Sequence, residues 1–178
     1  MDMREKKIDG EVIYDGKVVK VIRDKVLCPN NKEAYREIIR HNGGAAILPI
    51  TKDNKILLIR QFRYAYDEII YEIPAGKLEL NEDPYSAALR ELEEETGFKV
   101  DKLEPLGVIY PTCGYSSEKI YLYLANNLTE GVKHLDEDEF IEVLYVSIDE
   151  AKKMILENKI KDAKTIVAIS NYLLNLKK

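Results

Sequence analysis

The run Arg90-Glu91-Leu92-Glu93-Glu94-Glu95 puts four carboxylates near the end of one helix, and this constrains the chain more than any other feature. The helix is framed by strong signals. Asp83 precedes Pro84, an N-cap followed by proline at the first helical position. Gly97 supplies the left-handed stop. The spacing predicts a helix over 84–96. At about 100° per residue, Glu91, Glu94 and Glu95 share one arc with Arg90. Tyr85, Leu89, Leu92 and Thr96 fall on the other side and should pack inward. Glu91 and Glu95 are like charges at i,i+4, which costs about 0.2–0.5 kcal/mol. Carboxylates in the last turn also oppose the helix dipole. A bare glutamate run is most often a solvated face. A segment that breaks local preferences is, however, a candidate functional site. A hard divalent cation would resolve this conflict, because Mg²⁺ prefers carboxylate oxygens.

Charge makes the segment more unusual. The formal net charge of the 178 residues is −5. Residues 68–95 hold nine acids and two bases, a local −7, which leaves +2 for the rest. The overall acidic balance argues against nucleic-acid polymers or an anionic membrane as partners. No apolar run approaches the ~20 residues of a membrane span, and Met1 to Lys7 is polar and charged, so a cytoplasmic protein is expected. Cys28 and Cys113 are far apart and read as free thiols. With only His41 and His134, a histidine-based zinc site is not expected.

The first forty residues read as short strands. The runs 12–14 and 18–26 flank Asp15-Gly16, a pair suited to a tight hairpin turn, and a mixed stretch follows over 35–40. Gly43-Gly44 marks a break. The expected organisation is an N-terminal β region, 1–42, that packs on the main domain or on a partner chain, and a main domain, 43–178. The first region is too short to bury a good core alone. In the main domain, strands are expected near 45–50, 55–62, 69–73, 103–110, 119–125 and 141–146. Helices are expected over 84–96, from Ser147 to about 158 (a capping box with Glu150) and over about 162–176. This order lacks the regular alternation of a Rossmann sheet and indicates an α+β fold.

Gly76, Glu82, Arg90, Glu91, Leu92, Glu94, Glu95, Gly97 and Phe98 together spell G-x5-E-x7-R-E-U-x-E-E-x-G-U, with U apolar. At average residue usage this string arises by chance in about one chain in ten million. It resembles the box of the Nudix hydrolases without departure at any fixed position, and the resemblance runs from about Gly44 to the C-terminus. It implies a mixed β-sheet between α-helices. It also implies hydrolysis of a nucleoside diphosphate linked to another moiety, with Mg²⁺ or Mn²⁺. By that resemblance Glu91, Glu95 and the carbonyl of Ala75 are metal ligands, and Glu94 assists. Arg90 braces the glutamates, Glu82 fixes the loop, and Gly76 and Gly97 serve backbone geometry.

Gln61-Phe62-Arg63, Glu72-Ile73-Pro74-Ala75-Gly76-Lys77 and the N-terminal β region resemble the ADP-ribose pyrophosphatase group. There the N-terminal strands mediate a swapped homodimer and help form the substrate site. The match implies that Arg63, Thr112 and Glu118 contact substrate. The stretch 134–143 resembles the group's catalytic loop, with Glu137 as general base and Glu139 as a further metal ligand; a register two residues along exchanges those roles. One departure stands out. The group's usual proline, 15 positions beyond the box's final apolar residue, is Cys113 here. Cys113 is not expected to be a nucleophile.

The primary expectation is cleavage of ADP-ribose to AMP and ribose 5-phosphate. The alternatives are another nucleotide sugar such as ADP-glucose or GDP-mannose, a non-catalytic nucleotide sensor, or a hydrolase of nucleoside triphosphates. The intact set Glu91, Glu94 and Glu95 favours an enzyme over a sensor.

Overall fold

The computed structural model describes residues 2–176, which divide into two compact units. The first comprises Met1–Gly43 with Tyr110–Lys119; the second comprises Gly44–Ile109 with Ile120–Lys178.

In the first unit β1 (Lys6–Asp15), β2 (Lys20–Leu27) and β3 (Glu33–Arg40) form an antiparallel sheet in that order. The hairpin is wider than the expected two-residue turn. Asp15 pairs with Lys20 in the ladder, and Gly16 N–H donates to the Val19 carbonyl at 3.0 Å. The ion pair Lys20 Nζ–Asp15 Oδ2 (2.7 Å) joins the last residue of β1 to the first of β2. β1 is exposed along its whole length, including Ile8, Val12, Ile13 and Tyr14. The segment 110–119 joins this unit through hydrogen bonds from Ile39 N–H to the Tyr115 carbonyl (2.8 Å) and from Ser117 N–H to the Ile39 carbonyl (2.9 Å).

The second unit is built on β4 (Gly44–Pro49), which is buried at every position. A continuous apolar run is what a strand covered on both faces needs. Its side chains alternate between two cores. Ala46 and Leu48 join Ile56, Leu58, Leu122 and Leu124 in one. Ala45 and Ile47 join Leu57, Leu92, Tyr123 and Ala125 in the other. Helix α1 (Pro84–Thr96) covers the second core; α2 (Ile148–Leu156) and α3 (Ala163–Asn175) cover the first. The period of two along β4 therefore places the sheet between helices.

Strands β5 (Lys55–Arg63), β6 (Glu68–Glu72), β7 (Ala75–Lys77), β8 (Phe98–Lys99), β9 (Leu103–Ile109), β10 (Ile120–Ala125), β11 (Thr129–Glu130) and β12 (Ile141–Ser147) complete the unit. They pair as a mixed sheet β7-β4-β10-β9, a sheet β12-β5-β6 and the short pair β11-β8. β4 and β10 run parallel, and the other pairings are antiparallel. This is the α+β arrangement expected, a mixed sheet with helices on both sides.

Candidate active site

Helix α1 starts and stops at the predicted residues. Asp83 caps it by accepting from Ser86 N–H (3.0 Å), and Gly97 turns the chain at φ 75°. That register aims Arg90 at three acids. Its Nη1 donates to Glu91 Oε1 (2.8 Å) and Glu94 Oε2 (2.9 Å), while Nε and Nη2 reach Glu82 at 3.2 Å. Glu82 in turn accepts from Glu79 N–H (2.8 Å), which ties the loop before the helix to the same guanidinium.

Glu95 takes a different environment from the one its helical arc suggested. It is 3% exposed and lies on the buried face with Ala87, Ala88, Leu92 and Thr96. The inward face is wider than the Tyr85–Leu89–Leu92–Thr96 stripe, because two alanines extend it. One carboxylate oxygen of Glu95 accepts from Ala75 N–H at 2.9 Å. Burial pushes its pKa up to about 8; the Ala75 N–H opposes the rise, and the charges of Glu91 and Glu139 add to it. Burial also raises Glu91, which Arg90 counters and the charges of Glu94 and Glu139 reinforce.

Gly76 follows Ala75 on β7 and leaves room for Glu91. A Cβ there would lie 1.8 Å from Glu91 Oε1 and 1.9 Å from its Cδ, so any other residue would displace the Glu91 carboxylate. Helix α1, strand β7 and the loop between them thus bring together Ala75, Gly76, Glu82, Arg90, Glu91, Glu94 and Glu95. The loop over 131–140 is held against the helix end by hydrogen bonds from His134 N–H to the Glu94 carbonyl (3.0 Å) and from Gly131 N–H to the Gly97 carbonyl (2.8 Å). It carries Glu139, partly buried and electrically coupled to Glu91 and Glu95, and Glu137, which is exposed.

Arg63 ends β5 and grips Glu72 edge-on, with Nε–Oε1 at 2.6 Å and Nη2–Oε2 at 2.9 Å. Glu72 is buried and also meets Lys164 of α3. Burial alone would raise Glu72, but Arg63 and Lys164 hold its carboxyl below the ordinary value. In the sequence Glu72 falls in the motif around Ala75 without an assigned role, and Lys164, 92 positions away, is missed. A lysine in the first turn of a C-terminal helix carries no signal of burial. Thr112 and Glu118 belong to the first unit, in the segment that joins β3.

Among the described residues, no three His, Cys, Asp or Glu side chains form a ready-made metal cluster. The donor chemistry nevertheless suits a hard cation. The buried Glu95 and the partly buried Glu91 repel each other and carry raised proton affinity, and the Gly76 backbone passes close beside Glu91. Burial disfavours the charged form of both, and a divalent ion would supply the counter-charge that favours it.

The fold and the glutamate helix define a Nudix hydrolase. The NUDIX domain family model matches residues 40–168, and the chain belongs to that family. It is 45% identical to a methanol dehydrogenase activator of Bacillus methanolicus, over 93% of this chain and 90% of that protein. It is 43% identical to an ADP-ribose pyrophosphatase of Bacillus subtilis, over 94% of this chain and 91% of that one. A GDP-mannose pyrophosphatase of Cronobacter sakazakii is 31% identical over 86% of this chain and 94% of its own. The crystal structure of an ADP compounds hydrolase shares the fold at a TM-score of 0.89 and 21% identity, covering 99% of this chain and 97% of that one.

Proposed function

We propose that this enzyme hydrolyses the diphosphate bond of ADP-ribose to AMP and ribose 5-phosphate, with Mg²⁺ or Mn²⁺. The observation that carries the reading is the buried Glu95 against Ala75 of β7, with Glu91 against Gly76 and braced by Arg90. The similarity to an ADP-ribose pyrophosphatase over nearly the whole chain supports the substrate.

Glu91, Glu95 and the Ala75 carbonyl would hold the metal, with Glu94 and Glu139 assisting. When bound, the metal neutralises the diphosphate and lowers the pKa of water. The protein's own groups divide the remaining work. Arg90 keeps Glu91 and Glu94 from swinging apart. Arg63 offers its guanidinium to the diphosphate, and Thr112 and Glu118 contact the rest of the substrate. A water oxygen attacks one phosphorus, the bridging P–O bond breaks, and Glu137 takes the water's proton. Glu139 fills that role if the loop register is the alternative one.

Residues 1–42 are proposed to pair two chains into a homodimer, leaving 43–178 as the hydrolase domain. An edge strand exposed along its length, with Ile8, Val12, Ile13 and Tyr14 uncovered, supports this. Sedimentation of the full chain tests it, and a monomer at micromolar concentration counts against it.

The second reading is another nucleotide sugar, ADP-glucose or GDP-mannose. It is favoured by Cys113 in place of the expected proline and by the GDP-mannose relative. The deciding experiment is a panel of kcat/KM values with Mg²⁺ over ADP-ribose, ADP-glucose and GDP-mannose. ADP-ribose should rank first; a lower rank sinks the primary reading and leaves the hydrolase chemistry standing.

A further inference from the structure

We propose that Lys164, far from the box in sequence, is a positioning residue of the active site that acts through Glu72 on Arg63. The proposal rests on the reading of Arg63 as a substrate contact.

Lys164 is 9% exposed on the first turn of α3. A buried ammonium needs anionic partners, and two are present. Its Nζ lies 3.0 Å from Asp162 Oδ1 and also bonds to Glu72 Oε2. The Glu72 carboxylate is thereby shared between Lys164 and the Nε–Nη2 edge of Arg63. Two cations and two anions form one neutral cluster joining the ends of β5 and β6 to α3.

Such a cluster is a poor way to gain stability. Apolar residues of similar volume often serve a fold as well or better, because desolvating the charges offsets their attraction. Its geometric consequence is specific. With Nε and Nη2 held by Glu72, Arg63 keeps Nη1 without a hydrogen-bond partner among the described residues, on a side chain that is 39% exposed. That is the edge a phosphate can meet. Lys164 supplies the second charge that saturates Glu72, so the carboxylate does not draw all of the guanidinium inward.

The same helix turn also holds the backbone leading to the box. Thr165 Oγ1 donates to Asp162 Oδ2 (2.6 Å) and accepts from Ile73 N–H (2.8 Å). Two residues later, Ala75 N–H meets Glu95. The turn at the start of α3 therefore holds both the arginine and the backbone that leads into β7.

A double-mutant cycle of Arg63→Ala and Lys164→Met in the full chain tests this. It uses ADP-ribose with Mg²⁺, or whichever sugar of the panel ranks first. Lys164→Met should raise KM about 10-fold while kcat stays within about threefold, the pattern of lost substrate binding. In the Arg63→Ala background the same change should move KM less than about twofold. A residue that merely ties α3 to the sheet predicts multiplicative effects instead, or a fall in kcat with KM unchanged, and either result overturns the proposal. If Arg63→Ala alone leaves KM unchanged, the reading of Arg63 has failed and the proposal fails with it. If Lys164→Met does not fold, Lys164→Met with Glu72→Gln removes the buried carboxylate that the lost ammonium leaves with Arg63 as its remaining cation, and the same KM rise and the same insensitivity to Arg63→Ala are required.

Discussion

Replacing Glu95 by glutamine should make the metal-free protein more stable at pH 8, although it removes a proposed ligand. Burial lifts this carboxyl from 4.5 to about 8 in the folded chain. At 1.36 kcal/mol per pH unit, ionising it in place costs on the order of 5 kcal/mol. The sign follows from linkage. Between pH 4.5 and 8 the folded chain keeps the proton and the unfolded chain has released it, so stability falls as pH rises across that window. Glutamine mimics the protonated acid and can still accept from Ala75 N–H, without the pH-dependent loss. In EDTA, the melting temperatures of Glu95→Gln and the parent should lie close together at pH 5. They should separate by about 10 °C at pH 8 in favour of the variant, taking 2–4 °C per kcal/mol for a chain of this size. Saturating Mg²⁺ at pH 8 should then lift the parent by about 3 kcal/mol and the variant by less. A parent whose stability is flat from pH 5 to 8 relative to the variant, or a variant less stable at pH 8 in EDTA, would refute the assignment of Glu95 as a buried acid awaiting a cation.

Three other substitutions test the neighbouring parts. Gly76→Ala drives a methyl into Glu91, so turnover should fall at least about 100-fold with helix content by circular dichroism unchanged. Arg90→Lys cannot span Glu82, Glu91 and Glu94 together; kcat should drop about 10- to 100-fold, and a kcat within twofold of the parent would remove the bracing role. Asp83→Ala deletes only the N-cap of α1, costing about 1 kcal/mol, and should lower the melting temperature by a few degrees with KM unaltered.

The parts of the molecule that were legible in the sequence are those whose causes are local. Helix α1 was readable at both ends because Asp83, Pro84 and Gly97 act through their own backbone neighbourhoods. The core strands were readable because burial on both faces demands continuous apolar runs. The strands β7, β8 and β11 were not, since two or three residues become a strand only when a distant partner arrives. The true burial of Glu95 did have a sequence signal. Ala87 and Ala88 widen the inward face, but small residues are easily discounted beside leucines. The Arg63–Glu72–Lys164 cluster had none, because it depends on α3 docking beside β6.

The same contrast changes what the acidic segment means for an anionic substrate. Summed along the chain, residues 68–95 carry −7 and should repel a diphosphate. In the fold, four cations from outside the window are spent on it. Lys161 pairs with Glu68, Arg63 and Lys164 share Glu72, and Lys99 holds Glu93. Inside the window, Arg90 serves Glu82, Glu91 and Glu94. Below about pH 8 Glu95 keeps its proton when no cation replaces it. The charge left in the site falls on Glu91 and Glu94, which share one guanidinium, and on Glu95 once a divalent ion displaces its proton; that ion converts the charge into attraction. Arg63, already half neutralised by Glu72, still turns an unused edge outward. Charge counted along the sequence therefore overstates the repulsion that a diphosphate meets, because the counter-charges come from strands and helices that only the tertiary fold brings alongside.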